Sequence, residues 1–147
     1  MEPWKTNWPE TKKHFTDWWH LDGLAVGGWL SYESVPPHAD VEDPGAPASD
    51  EQKWTDTKWR AASELYRLSL TATPGDVLGH AQSDIGPGSL ALVLGSAAGY
   101  TEETVWFDAR EDDLQDWGPL EFDPDNMWWK THEAIIRAQL DTAGGRY

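Results

Sequence analysis

Apolar positions along this chain recur with helical spacing in some stretches and cluster into short runs in others, with Gly and Pro between them. Asn7-Trp8-Pro9-Glu10 reads as a helix start, with Asn7 or Trp8 near the cap, Pro9 near the first turn, and Phe15, Trp18 and Trp19 as the apolar face that follows. Gly23 is expected to end it. Leu24-Ala25-Val26-Gly27-Gly28-Trp29-Leu30 is an apolar run bounded by breakers, the pattern of a strand buried on both faces of a parallel sheet. The segment 35–50, with Pro36, Pro37, Pro44, Gly45 and Pro47 among acids, reads as an exposed loop.

Ser49 or Asp50 can cap a second helix running to about Thr71, with Trp54, Ala61, Leu65 and Leu68 on one face and Trp59, Ala62, Tyr66 and Ser69 beside them. Val77 to Ala81 reads as a second strand, and Gly86-Pro87-Gly88-Ser89 as a turn into the apolar run Leu90–Leu94. Thr104-Val105-Trp106-Phe107 has strand character. Asp123-Pro124 opens a last helix with Trp128, His132, Ile135 and Ile136 on one face, ending near Gly144-Gly145. The order alternates helices with short strands, which predicts an α/β fold with a mainly parallel sheet. A closed eightfold α/β barrel takes roughly 250 residues. If the chain belongs to such a barrel it stops short of closure, with 1–147 as a single partial domain.

Composition narrows the function. The 147 residues include 26 Asp and Glu against 11 Lys and Arg, a net charge of −15 that repels phosphate backbones and anionic lipid, and the basic residues are scattered. Nucleic acid and membrane are thus not expected partners. With no apolar run long enough to span a bilayer and no signal-peptide pattern at Met1-Glu2-Pro3-Trp4-Lys5, a soluble cytoplasmic protein is the simplest expectation. The chain has no Cys, so its chemistry must use oxygen or imidazole groups. The acid clusters Asp40 to Asp43 and Glu111-Asp112-Asp113 lack the spacing of a calcium loop and read as solvated surface. Gly86-Pro87-Gly88-Ser89 lacks the Lys of a phosphate loop.

Several segments share their order and wording with a known family: His14-Phe15-Thr16-Asp17-Trp18-Trp19, Ser83-Asp84-Ile85-Gly86-Pro87-Gly88-Ser89 with Leu92-Val93-Leu94-Gly95, Thr104-Val105-Trp106-Phe107, and Pro119-Leu120-Glu121-Phe122-Asp123-Pro124 with Trp128-Trp129. From about Trp18, and most strongly over 22–147, the chain resembles the amino-terminal part of the uroporphyrinogen decarboxylase superfamily, in its divergent decarboxylase-like branch related to corrinoid methyltransferases. The resemblance implies a TIM-type barrel with its cleft at the carboxyl ends of the strands, and a lyase or methyltransferase acting on a small molecule. It also implies that Asp84, in Ser83-Asp84-Ile85, faces the substrate as a catalytic carboxylate. The bare alternative is a turn residue before Gly86. No Arg occurs before Arg60, so the arginine-bearing loop that grips substrate carboxylates in the decarboxylases has no counterpart. The zinc of the methyltransferase relatives, held by Cys and His later in their chains, implies no cofactor in this chain and zinc only in a complete relative. A fragment of this kind is expected to be inactive alone, with a homodimer mate or a complementary barrel chain as candidate partners and a small-molecule substrate in the complete enzyme.

His80 lies four residues before Asp84 near an expected strand end and is a second catalytic candidate, against the plainer reading of a satisfied wall histidine. The 11 Trp residues support another class of function, a self-contained binding module for carbohydrate or a protein partner. Trp18, Trp54, Trp59, Trp106 and Trp128 are expected in the core, and Trp19 and Trp129 at an interface.

Overall fold

Local capping decides where the helices lie in the computed structural model, which describes residues 3–109, 119 and 121–147. Helix α1 (Trp8–Trp19) carries proline in its first turn and closes where the Leu21 and Asp22 N–H groups turn back to the Trp18 and Asp17 carbonyls, both at 2.9 Å. Leu21 takes the left-handed conformation at φ 61° and is 95% exposed, so the helix stops before Gly23 is reached.

Strand β1 (Leu30–Ser31) follows. Two helices, α2 (Asp50–Thr55) and α3 (Thr57–Ser69), stand where periodicity predicts one. Ser49 Oγ accepts the Gln52 N–H at 3.1 Å to start α2. Asp56, extended at ψ 112°, ends it, and the Asp56 carboxylate accepts the Trp59 N–H at 2.7 Å to start α3. After β2 (Thr71–Ala72) come α4 (Ser89–Val93), β3 (Ala98–Tyr100) and β4 (Val105–Phe107). Asn126 caps α5 (Met127–Ala143), its Oδ1 accepting the Trp128 and Trp129 N–H groups at 2.9 and 3.1 Å. Asp123-Pro124 makes the turn that precedes it, Asp123 Oδ1 taking the Asp125 N–H at 2.8 Å.

These elements overturn the barrel. Among the described residues the strands form two small antiparallel pairs, β1 with β2 and β3 with β4, in a mixed fold with five helices. The expected parallel strand Leu24–Leu30 contributes only Leu30 to a sheet, with Leu24 and Val26 exposed, and 77–81 is not a strand. A fragment of a TIM-type barrel is thus the wrong architecture, and the complementary barrel chain expected as its partner falls with it.

The chain divides into two compact units, Met1–Pro44 with Ala62–Gln82 and Gln139–Tyr147, and Gly45–Ala61 with Ser83–Ala138. In the first, β1 and β2 pair Leu30 with Ala72 and Ser31 with Thr71, and a Gly27–Gly75 bridge continues the contact. That bridge needs glycine on both sides. A Cβ on Gly27 would lie 2.6 Å from the Pro74 carbonyl oxygen, and one on Gly75, at φ 69°, 2.3 Å from that of Val26.

In the second unit Ile85, Leu92, Val105 and Ile135 are buried together, with Trp54, Tyr100, Phe107 and Trp128 packed against them. The β3–β4 hairpin turns through Thr101, whose N–H donates to the Thr104 carbonyl at 3.0 Å. Trp54 Nε1 donates to the Thr101 carbonyl at 2.8 Å and ties α2 to the hairpin. Arg60, buried at the start of α3, donates to the Trp54 carbonyl at 3.1 Å and to the Asp84 carbonyl. Two tryptophans expected inside lie outside: Trp18 is 50% and Trp106 69% exposed, because each stands on an element with one covered side. Trp19 and Trp129 are exposed, as their positions beside other tryptophans suggest.

Candidate functional site

The first unit holds a half-open cavity of about 820 Å³, and its walls come from segments far apart in sequence. The stretch before α1 is laid down by a cluster of donors on one carbonyl. Lys5 Nζ, Asn7 Nδ2 and Thr11 Oγ1 reach the Gly75 carbonyl oxygen at 2.7, 3.0 and 3.4 Å, and the Trp4 N–H donates to the Arg146 carbonyl at 2.7 Å. The lining also includes Leu30 and Tyr32, the latter's N–H bonded to the Leu70 carbonyl at 2.7 Å, and buried Leu68.

Aromatic groups converge on Trp4. The His38 imidazole stacks on it with centroids 4.2 Å apart and planes 8° from parallel, and Tyr147 is tilted against it at 6.1 Å. Arg146 lies over its ring, 5.9 Å from the centroid. Burial holds the His38 imidazole below its ordinary pKa, against an opposing pull from Asp40, so the ring is neutral at pH 7 and stacks as an aromatic. Burial also pushes the Tyr147 phenol up, Glu64 adding to it, so the hydroxyl stays protonated. Tyr147 Oη is buried and has no hydrogen-bond partner among the described residues.

Behind the cavity wall Asp76 fixes the Gly27–Gly75 contact. Its Oδ2 accepts the Val26 N–H and its Oδ1 faces His14 Nδ1, each at 2.8 Å. The bond from Val26 leads in holding this carboxyl below the ordinary aspartate value, with His14 and the charge of Lys5 assisting against the cost of burial. The unfolded chain takes up this proton near about pH 3.9 and the folded one only lower. Stability from Asp76 is therefore full above that pH and drains away as pH falls through the lower folded value. In thermal melts the midpoint of the wild type is expected to fall steeply below about pH 4. Asp76→Asn should be less stable at pH 6 and show a flatter acid limb.

No known family model, curated protein or solved structure matches this chain.

The residues singled out from sequence sit elsewhere. His80 is exposed in the first unit, where its carbonyl accepts Arg67 Nη2 at 2.8 Å, and it does not line the cavity. Asp84 is exposed in a bend of the second unit, immediately before buried Ile85. The following turn satisfies itself: Ser89 Oγ accepts the Ile85 N–H and donates to the Gly86 carbonyl, both at 2.8 Å. His132 Nδ1 lies 2.8 Å from the Trp128 carbonyl of its own helix. Glu111-Asp112-Asp113 lies outside the described residues. Among the described residues no group of three or more His, Asp or Glu is placed to hold a metal ion, and the chain lacks Cys. The donors of the described residues do not fit the zinc implied for complete relatives of the decarboxylase superfamily. No helix among the described residues is long and apolar enough to cross a membrane. Sequence reasoning missed Trp4, Lys5, His38 and Arg146, whose only local signal is that aromatic and basic residues sit beside prolines or glycines in nonperiodic segments.

Proposed function

We propose that this protein is a binding module for a small, flat, largely apolar organic molecule, taken up in the cavity beside Trp4. The observation that carries the reading is the cavity itself. At about 820 Å³ it falls within the roughly 300–1,000 Å³ range of small-molecule sites, and like them it combines an apolar lining with a few polar groups. The Trp4–His38 stack supplies an ordered aromatic wall against which a ring can pack.

A carbohydrate is favoured less by the same geometry. Sugars dock on open, flat aromatic faces, whereas the exposed aromatic pairs meet edge to face: Phe15 with Trp18 at 87°, Trp18 with Trp19 at 61° and Phe122 with Trp129 at 85°. One face of Trp4 is already covered by His38. The lyase or methyltransferase reading rests on the sequence resemblance alone and lacks the barrel it requires among the described residues.

Titration with 2-naphthol, followed by amide and indole N–H shifts in NMR, tests the proposal. Saturable one-to-one binding is expected, with the largest shifts at Trp4, Tyr32, Leu68 and Tyr147. Absence of saturation, or shifts confined to the exposed Trp18 and Trp19, would overturn it.

A further inference from the structure

We infer that the ligand of this cavity carries an anionic group, held by Arg146 and Lys5, so that the site selects aromatic organic anions over neutral analogues. The inference rests on the binding reading above and adds the charge of the ligand. Acids outnumber bases 26 to 11 in the chain, yet the lining includes Lys5 and Arg146 and no Asp or Glu side chain. In so acidic a protein a lining with two bases and no Asp or Glu is opposite to what the composition supplies by default.

Both cations keep donors to spare. Lys5 Nζ gives hydrogen bonds to the Gly75 carbonyl at 2.7 Å and the Thr73 carbonyl at 3.4 Å, and an ammonium has three donors. Arg146 spends one donor on the Thr142 carbonyl at 3.5 Å, and a guanidinium has five in a planar fork suited to a carboxylate. Neither makes an ion pair with another described residue. Asp76, which feels the charge of Lys5, is occupied by His14 and Val26 and is not part of the lining. The Arg146 guanidinium is also seated over Trp4, which fixes a cation beside the aromatic wall where a ring would pack. A protonated Tyr147 adds a phenol to the same lining.

The test compares 2-naphthoate with 2-naphthol by calorimetry on the intact chain, at low and high salt. Naphthoate is expected to bind about tenfold tighter at low salt, with the advantage shrinking as salt rises while naphthol is indifferent to it. Arg146→Gln should collapse the naphthoate-to-naphthol ratio toward one, and Arg146→Lys should retain part of it. If Arg146→Gln does not fold, the salt dependence of the wild type and the Arg146→Lys ratio decide. Equal binding of the two compounds, or a preference for naphthol, overturns the charge selectivity and leaves the cavity reading intact. Failure of both compounds to bind overturns the cavity reading and the inference with it.

Discussion

Gly75→Ala is expected to destabilise the first unit by roughly 3 kcal/mol or more, because it combines a left-handed backbone with a backbone clash. Two costs combine. At φ 69° an alanine sits in the left-handed region, which costs about 1–2 kcal/mol, and its Cβ would stand 2.3 Å from the Val26 carbonyl oxygen, a contact that only backbone movement relieves. Moving that backbone also shifts the carbonyl on which Lys5, Asn7 and Thr11 converge. Urea unfolding followed by circular dichroism measures the loss, and two controls divide it. Gly45, at φ 71° with nothing near its Cβ position, isolates the left-handed cost, and Gly28, with open space and no such conformation, should accept alanine with little change. A Gly75→Ala loss no larger than that of Gly45→Ala would show that the Gly27–Gly75 contact is not tight.

Ile135→Ala is expected to cost about 3–4 kcal/mol, near the upper part of the range for emptying a buried isoleucine site. Ile135 is fully buried among Ile85, Leu92 and Val105. Removing its side chain loses the burial of the removed atoms and leaves a cavity among these neighbours. The adjacent Ile136 is 44% exposed, and Ile136→Ala should change stability by less than about 1 kcal/mol, because less area is lost and alanine is the better helix former. Denaturant midpoints of the two variants, measured side by side, check the contrast. Against a total stability of about 5–15 kcal/mol for an ordinary domain, the first substitution removes a large share.

The helices were legible because their signals are local. The apolar spacing of α1 and α5 and the serine before α2 place these elements to within a few residues. What escaped is the break at Asp56, where one side chain ends a helix and starts the next. The strands were misread for a different reason. Leu24–Leu30 has the composition of a buried strand, but its place is set by glycine-to-glycine contact with Gly75, a residue far along the chain that no local pattern specifies. The cavity was illegible in the same way. Trp4, His38 and Arg146 belong to three unrelated segments, and their stacking exists only once the chain is folded. The 11 tryptophans do not mark where the cavity lies, because its position depends on tertiary structure alone.

The two strand pairs also imply an order of events during folding. Val105–Phe107 needs to close a loop of only about ten residues onto Ala98–Tyr100, whereas pairing Leu30 with Ala72 closes about forty. Two doublings of loop length add about 1.2 kcal/mol of closure entropy. The hairpin can form on the microsecond scale typical of local pairs, while the distant pair waits for α2 and α3 to shorten the intervening chain. Leu30 and Ala72 both border the cavity, so its walls come together only with the distant pair.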